Sequence, residues 1–128
     1  MNLRARLQEA SEAGACRCLP DELRRAAALA GFVLFEADLA KVSGKDAFLA
    51  AVAQAIHAPE WFGHNWDALA DALGDLSWHP APGYVLLLRD GGETLGLNAE
   101  ERATAMEIFV CTASFWKLQN KPFGVFYC

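Results

Sequence analysis

A chain of 128 residues, 54% of them hydrophobic, is long enough to bury one core and too short for two ordinary domains. Eleven Lys and Arg against sixteen Asp and Glu leave a formal charge of −5, which speaks against binding nucleic acid through its phosphates and favours a basic partner. No apolar run is long enough to cross a bilayer, and the stretch from Met1 to Glu9 lacks the apolar centre of a secretory signal, so the chain is expected to be soluble in the cytoplasm with no membrane partner.

Residues 1–30 are rich in Ala, Arg and Glu and carry two helix-leaning stretches, 3–13 and 21–30, the second opened by Pro20-Asp21-Glu22 with acids suited to a first turn. They are expected to form an amino-terminal extension packed loosely on a main domain that begins at residue 31. Of the four cysteines, Cys16, Cys18, Cys111 and Cys128, only the first two are close in sequence, and no spacing fits a C-x-x-C redox or zinc pattern. In the cytoplasm they should stay reduced, with Cys16 and Cys18 as ordinary thiols in a flexible segment.

From Gly31 the pattern changes. Phe32-Val33-Leu34-Phe35 is a short apolar run that reads as a buried strand. Ser43-Gly44-Lys45-Asp46 supplies helix start signals, and Phe48, Leu49, Val52 and Ile56 recur at roughly helical spacing until Pro59 stops the run. A second helix opens at Asn65, a good N-cap, and carries Trp66, Leu69, Ala70 and Leu73 as its apolar face, with Gly74 at or near its end. Tyr84-Val85-Leu86-Leu87-Leu88 reads as a second buried strand, and a long helix starts at Asn98-Ala99-Glu100-Glu101 and runs to about Leu118, with Ala105, Ile108, Phe109, Thr112 and Trp116 along one side. Phe123 to Tyr127 is a third short strand. Continuous apolar strands separated by helices imply an α/β fold, a three-stranded parallel sheet covered by helices on both faces.

The chemistry gathers in the middle of the chain. Between Lys45 and Arg89 there is no Lys or Arg, whereas Asp46, Glu60, Asp67, Asp71 and Asp75 all fall there. Asp67, Asp71 and Asp75 are spaced i, i+4, i+8 on the helix opened by Asn65, which lines their carboxylates up on the face away from Leu69 and Leu73. Like charges at that spacing cost a helix about 0.2 to 0.5 kcal/mol per pair, so the row works mildly against stability. By spacing alone it reads as a solvated helix face. Acid and base catalysis would need two carboxylates in differing environments, and these look like neighbours on one open face. His57, Glu60 and His64 are the candidates for a metal, but Pro59 and Gly63 interrupt any helix that could align them and H-E-x-x-H is absent; His79, beside Pro80, reads as a loop residue. No metal, cofactor or enzymatic activity is expected.

The run from Ala58 to Leu73, APEWFGHNWDALADAL, resembles the signature of the barstar family: Pro, two aromatics, Gly, any residue, Asn, a large apolar residue, Asp-Ala-Leu, any residue, Asp, any residue, Leu. The order of strands and helices agrees from about Gly31 to Cys128, leaving residues 1–30 outside the resemblance. Each fixed position also has a local reason. Gly63 permits a tight passage into the helix, Asn65 caps it, and Trp66, Leu69 and Leu73 hold it to the core. Of Trp61 and Phe62, one is expected to anchor in the core and the other to lie exposed beside the acids; the family pattern makes Trp61 the exposed one.

The resemblance implies a reversible protein inhibitor of a basic microbial ribonuclease of the barnase type, which plugs the active site with helix-borne carboxylates in place of RNA phosphate. It would give Asp71 the part of main phosphate mimic and Asp67 that of second acidic contact. Asn65 and Gly63 would supply polar contacts at the rim, and Trp61 would lie against the enzyme's catalytic histidine. Two positions depart from the best-known pattern. Ala70 stands where an aromatic contact is usual between the two aspartates, and Cys111 or a neighbour stands where the last long helix has a glutamate. Those departures leave open a partner that is a different ribonuclease, or a toxin of another activity met by an immunity protein or binding module on the same fold. A chain that presents one acidic face is expected to work as a monomer.

Overall fold

A computed structural model describes residues 1–59 and 63–128. Its elements run α1 (Leu3–Ala13), β1 (Cys16–Arg17), α2 (Pro20–Ala30), β2 (Val33–Asp38), α3 (Lys45–Ala55), α4 (Trp66–Leu73), β3 (Tyr84–Arg89), α5 (Ala99–Leu118) and β4 (Phe123–Tyr127). The strands form one parallel sheet in the order β1-β4-β3-β2. The α/β class and the parallel sheet with helices on both faces are therefore as expected, but the sheet has four strands among the described residues. The added strand is Cys16–Arg17, in the segment expected to be flexible. Two residues are too few to show a period of two, so this strand exists because the edge of β4 offers it unpaired backbone groups. Arg17 leaves its guanidinium 5.5 Å from the Tyr127 ring centroid.

β3 is buried from Tyr84 to Leu88, as expected of a central strand covered on both sides. On one face, Tyr84, Leu86 and Leu88 join Phe123, Val125 and Tyr127 of β4 and Phe35 and Ala37 of β2 under α3, α4 and α5. On the other, Val85, Leu87 and Phe126 meet Leu7 and Ala10 of α1 and Leu23 and Ala27 of α2.

The second face corrects the expectation of a loosely packed extension. Residues 1–30 form the whole helical layer there, and the contact is close. A Cβ placed on Gly124 would sit 2.5 Å from Leu7 Cδ2, so the glycine makes room for the Leu7 side chain of α1 against β4. Arg24 of α2 donates from Nε and Nη2 to the two oxygens of Glu36 on β2, at 3.0 and 2.8 Å, and Arg89 Nε of β3 lies 3.2 Å from Glu36 Oε1. The Arg24 guanidinium holds the Glu36 carboxyl below the usual carboxylate range.

On the other face, α5 is fixed at its start by a reciprocal cap, with Glu101 N donating to Asn98 Oδ1 and Asn98 N to Glu101 Oε1. Near its end, the Trp116 indole N–H donates to the Leu73 carbonyl at 2.8 Å, tying the last turn of α4 to α5. The Trp78 indole donates to Ile56 O, and Tyr84 Oη both donates to His79 O and accepts from Ala81 N, so the irregular path from α4 to β3 has buried partners. The ring of His79 packs edge-on against Phe35.

Two predictions follow from the extension's place in the core. Leu23→Ala, at a fully buried site, should lower unfolding free energy by about 2 to 4 kcal/mol in denaturant melts, while Leu29→Ala, at a residue 84% exposed, should stay within about 0.5 kcal/mol. Equal small losses would mean that the extension does not share the core. Because the folded-state pKa of Glu36 is depressed, its contribution is present above its unfolded value of 4.5 and fades as pH falls through the lower folded value. The stability deficit of Glu36→Gln should therefore be larger at about pH 6 than at about pH 2, and a deficit independent of pH would contradict the pairing.

Candidate functional site

α4 has eight residues, too few to persist alone in water, so its geometry depends on its cap and on what it packs against. Asn65 supplies the cap. Its Oδ1 accepts from Ala68 N at 2.7 Å, and its Nδ2 donates back to Gly63 O at 3.1 Å. The residue that takes the left-handed turn into this cap is His64, at φ 46°, and not Gly63. Glycine at 63 leaves room for the cap: a Cβ there would lie 3.2 Å from the Asn65 amide nitrogen, and the capping side chain would have to shift by a few tenths of an ångström. Leu69, Ala72 and Leu73 are buried, and the half-buried Trp66 ring tilts against Phe48 at 6.1 Å between centroids.

With that face held down, Asp67 and Asp71 stand one turn apart on the opposite, exposed face. Neither side chain has a hydrogen-bond or ion-pair partner among the described residues. Asp67 lies in the first turn, where the amide dipoles favour a negative charge. Asp75 does not extend the row. The helix stops at Leu73 with Gly74 as its C-cap, Leu76 turns to φ 50°, and Asp75 accepts from Ser77 Oγ at 3.1 Å in the following turn. The sequence placed three acids on one helix; the folded chain keeps two. Gly63 and Asn65 are exposed at the helix entrance, beside the same carboxylates. Trp61, together with Glu60 and Phe62, lies outside the described residues.

The two departures from the family pattern meet in space. Ala70 of α4 and the exposed Cys111 of α5 line one open groove of about 470 Å³ between the helices, with Trp66, Asp67, Glu107 and Phe115 among its other walls. Glu107 and Phe115 escaped the reading of the sequence. Phe115 is 43% exposed and stands one residue before the buried Trp116, so it breaks the apolar stripe of α5 outward. That break was the available signal. Glu107 sits one turn before Cys111 and brings a third carboxylate to the edge of the site. Of the residues considered for a metal, His57 lines a different cleft, beside His79 at the β2 edge, and His64 lies at the α4 entrance.

The site is thus an exposed, rigidly backed pair of carboxylates beside an apolar groove, a surface that can accept cations and does not enclose a small substrate. A search of curated proteins finds no match to the chain. A family model described as Barstar (barnase inhibitor) matches residues 32–128, the stretch that contains β2, β3, β4, α4 and α5. With three quarters of its length in that match, the chain belongs to the barstar family.

Proposed function

We propose that this protein reversibly inhibits a small basic ribonuclease of the barnase type, in the cytoplasm of the cell that makes the enzyme, by seating α4 in the enzyme's phosphate-binding cleft. The observation that carries the reading is the pair Asp67 and Asp71, without a partner among the described residues, on a helix whose other face is fixed in the core. A ribonuclease must hold RNA phosphate with Arg, Lys and His, so carboxylates carried on a helix backbone that is already fixed can take the phosphate's position with little backbone ordering cost on the inhibitor's side. Asp71 is the main phosphate mimic and Asp67 the second acidic contact, with Gly63 and Asn65 at the rim and Trp61 against the catalytic histidine.

The departures shape affinity and partner choice. Glu107 offers a carboxylate one turn from the position where the family's glutamate is missing, and the groove at Ala70 takes the place of an aromatic contact. A second reading, an immunity protein or binding module whose partner is not a nuclease, draws on that same open groove. Catalysis by the chain itself is not part of either reading, because Asp67 and Asp71 share one exposed setting and nothing separates an acid from a base. Opposite net charges should speed encounter, and the gain should shrink with salt.

In RNA-cleavage assays with small basic ribonucleases of the barnase type, Asp71→Ala should weaken inhibition by at least about 2 kcal/mol and Asp75→Ala by less than about 0.5 kcal/mol. The association rate should fall as salt is raised. Equal, small losses from the two substitutions would overturn the assignment, and no inhibition of any such enzyme would leave the second reading.

A further inference from the structure

All four cysteines are free thiols. Two of them are nonetheless neighbours. The parallel register pairs Cys16 with Phe126 and Arg17 with Tyr127, and Cys18 N donates to Tyr127 O at 3.0 Å. One further step of the register sets Cys18 beside Cys128. Adjacent strands run about 4.8 Å apart, inside the Cα separation of about 4.4 to 6.8 Å that a disulfide bridges. Both side chains belong to the same hydrophobic cluster on the α1 and α2 face, and both line a single cleft of about 570 Å³. Cys16 competes poorly: it faces Phe126 in the register, its thiol donates to Glu9 Oε2 at 3.9 Å, and its Cα is about 6.6 Å from that of Cys18, at the far end of the bridging range. Cys111 lies across the sheet, in the groove beside α4.

From this juxtaposition we propose that Cys18 and Cys128 form a redox-active pair that closes an intramolecular disulfide, covalently fastening the edge strand β1 to β4. The inference does not depend on what α4 binds. Cys128 is half-buried and Cys18 is 8% exposed, so Cys128 is the thiol that meets the oxidant. The cleft also carries Arg6 and Arg17, which suit an anionic low-molecular-weight disulfide such as oxidised glutathione.

The Cys128 thiolate attacks one glutathione sulfur, the glutathione S–S bond breaks, and one glutathione leaves as a thiolate that takes up a proton. The Cys18 thiol then loses its proton and attacks Cys128 Sγ; the mixed disulfide breaks and the second glutathione leaves. Two protein thiols are oxidised, one glutathione disulfide is reduced to two glutathione thiols, and the two thiol protons end on them.

The second attack is the slow one. Burial pushes the Cys18 thiol up to about 11, with Cys128 and Glu22 adding to the rise and Arg6 and Arg24 opposing it. Its thiolate fraction therefore grows about tenfold per pH unit across the neutral and mildly alkaline range.

The test uses the full chain carrying Cys111→Ser, to suppress links between molecules, with oxidised glutathione followed by non-reducing peptide mapping. The expected sequence is glutathione on Cys128, then a peptide linking Cys18 to Cys128, with closure accelerating about tenfold per pH unit between about pH 7 and pH 10. Cys16→Ala should leave that link intact, Cys18→Ala should stop at the mixed disulfide, and the linked protein should melt several degrees above the reduced one. Glutathione retained on Cys128 at about pH 10, a link through Cys16 in comparable yield, or a linked form that melts no higher than the reduced protein would each overturn the proposal.

Discussion

Everything the site can do depends on how an eight-residue helix is kept from fraying. α4 is about one to two turns shorter than isolated helices that hold together in water, and it carries like charges at i, i+4 that work against it. Its order comes from three fixed points. Asn65 closes the entrance, Leu69 and Leu73 fill the core at zero and 1% exposure, and the Trp116 indole takes up a carbonyl of the last turn. The backbone that carries Asp67 and Asp71 is then held in place by groups on the far side of the helix. A surface built this way has little backbone left to order on binding, which suits a substitute for a rigid phosphate.

The sheet serves the same end from further away. α5 supplies Trp116, and α5 itself is seated by the capping box at Asn98 and by the apolar face of β4. β4 is supported from behind by α1 and β2 by α2, and Leu7 and Leu23 of these helices close the second core cluster. Residues 1–30, outside the matched family region, therefore contribute a structural layer and an edge strand, and the Arg24 to Glu36 pair joins that layer to the sheet at a point away from α4.

Elements with a strong period were legible in the sequence. The strands at Val33, Tyr84 and Phe123 and the helices opened by Asn65 and Asn98 could be read because apolar spacing and capping chemistry agree there. What could not be read depends on contacts far apart along the chain or on backbone angles. β1 has two residues and exists only because β4 leaves an edge open. Gly74 marked the end of α4, but the left-handed turn at Leu76 that carries Asp75 off the row had no signal, and the left-handed residue of the helix entrance is His64 although a glycine stands next to it. The groove that joins Ala70 to Cys111 and Phe115 arises from helix packing fastened by a hydrogen bond between residues 43 apart in sequence. The pairing of Cys18 with Cys128 needs the sheet register and has no local signature.

The central claim is that the α4 carboxylates occupy the place of an RNA phosphate, and competition measures this directly. Binding of the protein to a barnase-type ribonuclease can be titrated with and without a mononucleotide phosphate that fills the enzyme's active site. Mutual exclusion is the predicted result, with the apparent dissociation constant rising in proportion to nucleotide once its site is saturated. An affinity unchanged by a fully occupied phosphate site would contradict the claim.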